Sequence, residues 1–238
     1  MKINVISTST DSIDISNNGK NVQGDEMVAR MWTKYLGQDN RVVFADLNGR
    51  RTKYDVTINF NYFVNPESFS GYKVLYMQNV FPKPAFLGTV EMFGRTKQTG
   101  GYNDYIFPSP GLREETCTPS GLVCQFATDT DIYNPRPINN NLSPNLCFVG
   151  NKIRSADVRD RYLMSVKDKG LRIYGNPMGW QSPYCKGKIS MADEATLYSS
   201  SKICLNMHLA EHLEYGAYNF RIFNILACKG FIISDYSE

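Results

Sequence analysis

Short apolar runs alternate with helix-like stretches along the whole chain, and this rhythm constrains the fold more than any other feature of the sequence. In the first half, residues 2–7, 41–47, 55–60, 73–80, 104–107 and 122–127 read as strands. Residues 25–36 read as a helix with Met27, Ala29, Met31 and Leu36 among its apolar positions. Strands separated by helical patterns rather than hairpin turns point to a parallel sheet with crossover helices. The second half restarts the rhythm, with strands at 146–149, 171–174, 203–207 and 231–234 and helices at 158–168, 192–200 and 218–228. Between the halves, residues 133–144 hold three prolines and four asparagines, a composition that marks a linker. The expectation is an α/β protein of two parallel-sheet domains, 1–143 and 144–238, with a cleft between them. The second domain reads as short, because the sequence stops directly after a buried-looking strand.

Bulk properties narrow the class. Of the 238 residues, 42% are hydrophobic and 21% charged, an ordinary globular balance able to fill a sizeable core. The net charge of +3 is too mild to imply a nucleic-acid partner. No run reaches the length of a transmembrane helix, and the first residues lack a signal-peptide apolar core. The six cysteines form no C-x-x-C pair, and Cys147, Cys204 and Cys228 lie inside apolar runs, where cysteine behaves as a small hydrophobe. A reduced, cytoplasmic protein is expected.

Three segments carry chemistry. Phe148-Val149-Gly150-Asn151-Lys152 is a strand ending in glycine, a turn that lets backbone approach a phosphate while Lys152 and Arg154 supply charge. Leu171–Tyr174 ends the same way at Gly175, so both glycines are expected to line one crevice at strand carboxyl ends. The third segment begins with a polar loop holding His208, Glu211, His212 and Glu214. It continues into a helix opening near residues 217–219, with Phe220, Phe223, Leu226 and Ala227 on its core face. Arg221 falls in the first turn of that helix, where the dipole disfavours a cation; a bound diphosphate would offset the conflict.

With these pieces in view, residues 146–238 resemble the C-terminal domain of the CgeB-like (spore-maturation-protein-like) glycosyltransferases, a branch of the GT-B group-1 transferases. The matching pieces include Phe148-Val149-Gly150-Asn151, Ile173-Tyr174-Gly175, Gly187-Lys188-Ile189-Ser190 and the block from Asn219 to Asp235. The resemblance implies two Rossmann-like domains facing across a cleft, a nucleotide-sugar donor bound by the second and an acceptor bound by the first. The acceptor, whether glycan, lipid-linked or protein, is not legible. The resemblance also implies metal-independent transfer without a further cofactor, the diphosphate being held by helix N-termini and basic side chains. Gly150, Asn151, Lys152, Gly175, Lys188, Asn219, Arg221 and Asn224 are the candidate donor-binding residues, and His208 and Glu214 the candidate catalytic ones. Where the family carries an acidic residue, this chain has Asn224, and Gly216 stands at its acidic partner position. That departure keeps two other readings open: a catalytically inactive nucleotide-sugar or glycan-binding protein, and a sugar-nucleotide epimerase of the same fold.

Other signals compete. Asp129-Thr130-Asp131 has the D-x-D form of a metal site but stands in a turn before the linker, where aspartates ordinarily cap. His208 and His212 lie four apart without the glutamate of a zinc-protease motif, so no metal site is assigned. An imidazole ordinarily titrates near pH 6.5, so either histidine suits a general base. Gly24 and Asp25 close the loop after the first strand, at 17–25, the candidate acceptor-side segment; Asp25 also reads as a helix N-cap.

Overall fold

The computed structural model describes residues 1–7, 24–44, 53–60, 64–77, 89–152 and 158–235. The chain runs β1 (Lys2–Ile6), α1 (Gly24–Leu36), β2 (Arg41–Phe44), β3 (Val56–Asn59), β4 (Tyr72–Tyr76), α2 (Thr89–Thr99), β5 (Asp104–Phe107), α3 (Pro110–Glu115) and β6 (Leu122–Val123). It continues with β7 (Leu146–Val149), α4 (Val158–Ser165), β8 (Leu171–Tyr174), α5 (Pro177–Trp180), α6 (Met191–Ser200), β9 (Ile203–Asn206), α7 (Ala210–Glu214), α8 (Phe220–Ala227) and β10 (Ile232–Ser234). Strands β1 to β6 form one parallel sheet in the order β2-β1-β3-β4-β5-β6. Strands β7 to β10 form a second in the order β10-β9-β7-β8. The α/β expectation with two parallel sheets holds.

The first sheet buries Ile3, Val5 and Ile58 against Val28, Ala29 and Met31 of α1. Val28, Met31 and the neighbouring Trp32 follow the three- and four-residue spacing of one helix face. Aromatic rings fill the rest: Trp32 meets Phe60 edge-on at 5.6 Å, and Phe60 lies 5.0 Å from Tyr76. Burying a large side chain of this kind contributes about 1.5–3 kcal/mol. The second sheet is backed on one side by Leu163 and Trp180 and on the other by Ala195, Leu197, Tyr198 and Ile225.

Helix α8 joins the two units. Its Ile225 packs in the second core, whereas Phe220 and Phe223 reach the first, Phe220 meeting Phe126 edge-on at 6.4 Å. Ser109, just past β5, caps α3 and donates its hydroxyl to the Tyr215 carbonyl at 2.8 Å, so the carboxyl edge of the first sheet touches the segment before α8. The proline- and asparagine-rich connection is zipped along α6. The backbone N–H groups of Arg136 and Asn139 donate to the hydroxyls of Ser199 and Ser200, and the Ser143 hydroxyl donates to the Ser200 carbonyl. A segment without ladder partners needs such side-chain acceptors for its backbone.

Several elements differ from the sequence reading. The stretch from His208 to Glu214 is not a loop throughout, because Ala210–Glu214 forms the one-turn helix α7. Helix α3 was not expected; Pro110 opens it, where a missing N–H costs nothing. Helices α2 and α5 were not expected. Helix α4 ends at Ser165, and a short 3-10 turn continues to Lys169. The parts of 41–47 and 73–80 beyond Phe44 and Met77 lie outside the described residues.

Candidate functional site

The parallel arrangement of β7 to β10 brings their carboxyl ends to one edge. Gly150 follows β7, Gly175 follows β8, Asn206 closes β9 with His208 two residues on, and Asp235 follows β10. Ligands of open parallel sheets bind along this edge.

Gly150 and Gly175 touch. A Cβ on Gly175 would strike the Gly150 carbonyl, and a Cβ on Gly150 would sit 2.8 Å from Arg221 Nη2. The Gly150 N–H donates to the Tyr174 carbonyl, and its own carbonyl accepts from Trp180 Nε1, both at 2.8 Å. The loops stay close because Asn151 Oδ1 accepts the Asn176 N–H at 2.8 Å and the Asn151 carbonyl accepts from Arg159 at 2.9 Å.

Arg221 is the second residue of α8, after Asn219 in the N-cap position. Its guanidinium lies 4.9 Å over the Phe148 ring and donates to Asn206 Oδ1 at 3.0 Å and the Met207 carbonyl at 3.5 Å. No carboxylate lies within ion-pair distance of it among the described residues. Burial pushes its pKa down, as expected for a cation short of counter-charge.

Among the described residues, three polar atoms here are buried without a hydrogen-bond partner: Asn219 Oδ1, Asn224 Nδ2 and His208 Nε2. Native proteins leave few such atoms, and each calls for a partner. Asn219 occupies a cap position without capping α8. Asn224 is fully buried, and its Oδ1 accepts the Thr128 hydroxyl at 2.6 Å. His208 is 2% exposed, and Asp235 holds it twice: Oδ1 faces Nδ1 at 2.6 Å and Oδ2 accepts the backbone N–H at 2.8 Å. Burial alone would raise the Asp235 carboxyl, but the ring and backbone bonds from His208 outweigh it and hold the carboxyl below its usual range.

A second buried carboxylate lies behind α8. Glu194 of α6 accepts the Tyr198 hydroxyl at 2.6 Å and the Tyr133 hydroxyl at 3.2 Å. Burial raises its pKa in spite of those bonds and the nearby Arg221 charge.

Not every expected residue joins the cluster. Lys152 is ion-paired with Asp160, so its charge is already compensated. Lys188 is exposed in the segment before α6, and Glu214 is exposed at the end of α7. Helix α1 begins at Gly24, which puts Asp25 inside the first turn rather than before it; residues 17–23 of that loop lie outside the described residues. The Asp129-Thr130-Asp131 carboxylates are taken by Lys34, whose Nζ lies 2.7 Å from Asp129 and 2.6 Å from Asp131. Among the described residues no group of three or more His, Cys, Asp or Glu side chains is placed to hold a metal. No helix of the described residues is long and apolar enough to cross a membrane.

The sequence reading missed Asn206, Asp235, Phe148, Thr128 and Glu194. The first two end strands, and the strand-end rule that picked out Gly150 and Gly175 applies to them equally. Glu194 gave no signal, since a glutamate in a helix ordinarily faces water.

Residues 157–238 match a family model described as glycosyl transferase-like. Solved structures extend the likeness to the rest of the chain. The sucrose-phosphate synthase of Thermosynechococcus elongatus superposes with a TM-score of 0.68 over 98% of this chain and 80% of its own, at 9% identity. AviGT4, a glycosyltransferase of avilamycin A biosynthesis, gives 0.65 over 98% and 78%, at 11% identity. The fold is GT-B. Anabaena Alr3699/HepE, solved with UDP-glucose, gives 0.64 over 100% of this chain and 81% of its own, at 10% identity. No curated protein sequence matches the chain. In this GT-B arrangement the clustered strand ends are those of the second sheet, with His208 just beyond β9 and Arg221 on α8.

Proposed function

We propose that the chain is a glycosyltransferase of the CgeB-like branch, moving a sugar from a nucleotide-sugar donor to an acceptor hydroxyl. The donor binds the 144–238 domain and the acceptor the 1–143 domain. Arg221 carries this reading: a half-buried guanidinium at a helix N-terminus, with no carboxylate partner among the described residues, beside two glycines in mutual contact. A diphosphate there accepts charge-assisted hydrogen bonds from Arg221, backbone N–H groups and the positive end of α8. The UDP and UDP-glucose complexes among the structural neighbours support the same ligand class.

The buried, unpartnered polar atoms of Asn219 and Asn224 suit donor hydroxyls, and His208 suits proton transfer. Charge neutralisation by Arg221 and the α8 N-terminus supports transfer without a metal, with Lys34 already holding the D-x-D carboxylates. Glu214, at an exposed helix end, is left out of the mechanism.

A second reading, binding without transfer, is favoured by Asn224, whose amide replaces a carboxylate and is tied to Thr128. Calorimetry with UDP-, GDP-, ADP- and dTDP-sugars tests both. Micromolar binding of one donor, followed by release of its nucleoside diphosphate, supports transfer. Binding without release supports the second reading, and no binding at all defeats both.

A further inference from the structure

Strands β9 and β10 run in parallel register with Asn206 opposite Ser234, so the two side chains meet at the carboxyl edge. Asn206 Nδ2 donates to Ser234 Oγ at 2.9 Å, and its Oδ1 accepts from Arg221 Nη1 at 3.0 Å. The Ser234 hydroxyl donates in turn to Asp235 Oδ1 at 3.2 Å. The other Asp235 oxygen accepts the His208 backbone N–H at 2.8 Å, which ties it to the segment after β9. One continuous chain of bonds thus runs from α8 across the ends of β9 and β10.

The chain has a direction. A guanidinium only donates, so the Asn206 oxygen faces Arg221 and its NH2 faces Ser234. Having accepted that N–H, the serine hydroxyl sends its own proton to a carboxylate, which only accepts. Burial would raise the Asp235 carboxyl, but the bonds from His208 and Ser234 outweigh it, so the chain ends on a charge. Asn206 is 1% exposed and engaged at both ends of its amide, which leaves it one orientation. Arg221 Nη1 is therefore held by a neutral oxygen, while Nη2 lies against the Gly150 turn, 2.8 Å from where a Cβ would stand. A carboxylate at position 206 would bond the guanidinium equally well and cancel its charge. An amide orients it and leaves the charge in place.

We propose that Asn206, locked by Ser234 and Asp235, is a positioning residue that aims Arg221 at the donor diphosphate while leaving its charge uncompensated. This rests on the donor reading above.

Asn206→Asp tests it, because the variant keeps the side-chain shape and the acceptor but sets a carboxylate against Arg221. The ligand is whichever of UDP, GDP, ADP and dTDP the wild type binds most tightly. Its affinity is expected to fall by about tenfold or more, as for one charge-assisted hydrogen bond, while Tm holds or rises. The remaining affinity depends less on salt than that of the wild type. Ser234→Ala, at an exposed position, frees the amide to turn; affinity falls severalfold, and Ser234→Thr restores it. In an Arg221→Ala background neither Asn206→Asp nor Ser234→Ala weakens binding further, since both act through Arg221. Unchanged affinity in Asn206→Asp overturns the proposal, as does a loss that persists in the Arg221→Ala background. Should Asn206→Asp not fold, Ser234→Ala decides: a lowered Tm with unchanged affinity makes the chain of bonds structural only. Failure of the donor reading shows differently: the wild type then binds none of the four nucleotides, and the proposal falls with it.

Discussion

The Thr128 hydroxyl donates to Asn224 Oδ1 at 2.6 Å, tying the end of the first unit to the buried face of α8. Asn224 is fully buried, and its Nδ2 is already without a partner. Thr128→Val keeps the side-chain shape but strands the amide oxygen as well. Leaving a buried acceptor unpaired costs about 1–3 kcal/mol, and for a chain of this size each kcal/mol lowers Tm by about 2–4 °C. Thermal melting of the variant is expected to show a drop of several degrees; an unchanged Tm would mean that the joint between the units does not depend on this bond.

Glu194 and Asp235 are both inward carboxyls, yet they act on stability with opposite signs. The Glu194 pKa is raised above 4.5, so the folded state binds its proton more tightly than the unfolded chain does. Its ionisation costs stability as pH rises through 4.5, and the full cost applies above the folded pKa. Glu194→Gln retains an acceptor for Tyr198 and removes the charge. It is expected to raise Tm at pH 7, with the gain fading by pH 4. The Asp235 carboxyl is held below 3.8, so its contribution is present above that value and is lost as pH falls further. Melting curves between pH 3 and 8 read both effects, and a Glu194→Gln gain that grew on acidification would contradict the assignment.

Most strands were legible because each is a compact apolar run, whereas the expected strand at 122–127 pairs only at Leu122–Val123. Residues 104–107, 146–149 and 171–174 form strands with the expected bounds. Helices α2 and α7 were not legible: α2 carries no apolar stripe strong enough to stand out, and α7 is a single turn among polar residues. At the site, local rule-breaking was readable, as with Arg221 at a helix N-terminus. Pairings made by topology were not. Nothing within the sequence couples His208 to Asp235, 27 residues away, until β9 and β10 are known to be neighbours. Lys34 reaching Asp129 across 95 residues hid the fate of the D-x-D pair in the same way.

Helix α8 ends with Lys229 in the left-handed conformation, φ +57°, and the Gly230 N–H closes back on the Ile225 carbonyl at 2.9 Å. A side chain in that region costs roughly 1–2 kcal/mol relative to glycine, partly offset by the greater freedom of glycine when unfolded. Lys229→Gly is expected to raise stability by up to about 1 kcal/mol in denaturant titration. A loss of stability would show that the lysine makes a contact outweighing its strain.

Arg221 is the residue on which the proposed donor site turns. Its guanidinium is stacked on Phe148, bonded to Asn206 and packed over Gly150, so the fork is oriented before any ligand arrives. It sits at the wrong end of α8 for a cation, with its pKa lowered by burial and no carboxylate in ion-pair range among the described residues. A diphosphate relieves all of these costs together. Charge-assisted hydrogen bonds contribute about 1.5–3 kcal/mol, so Arg221→Ala is expected to weaken nucleoside diphosphate binding by about ten- to a hundredfold. Arg221→Lys keeps the charge but loses the planar fork and the stacking, and recovers only part of that affinity. Titrations at two salt concentrations separate this from a structural role. For a phosphate contact the wild type loses affinity with salt more steeply than Arg221→Ala does. If affinity is unchanged while Tm falls, Arg221 serves the packing of Phe148 and Asn206 instead, and the donor site loses its anchor.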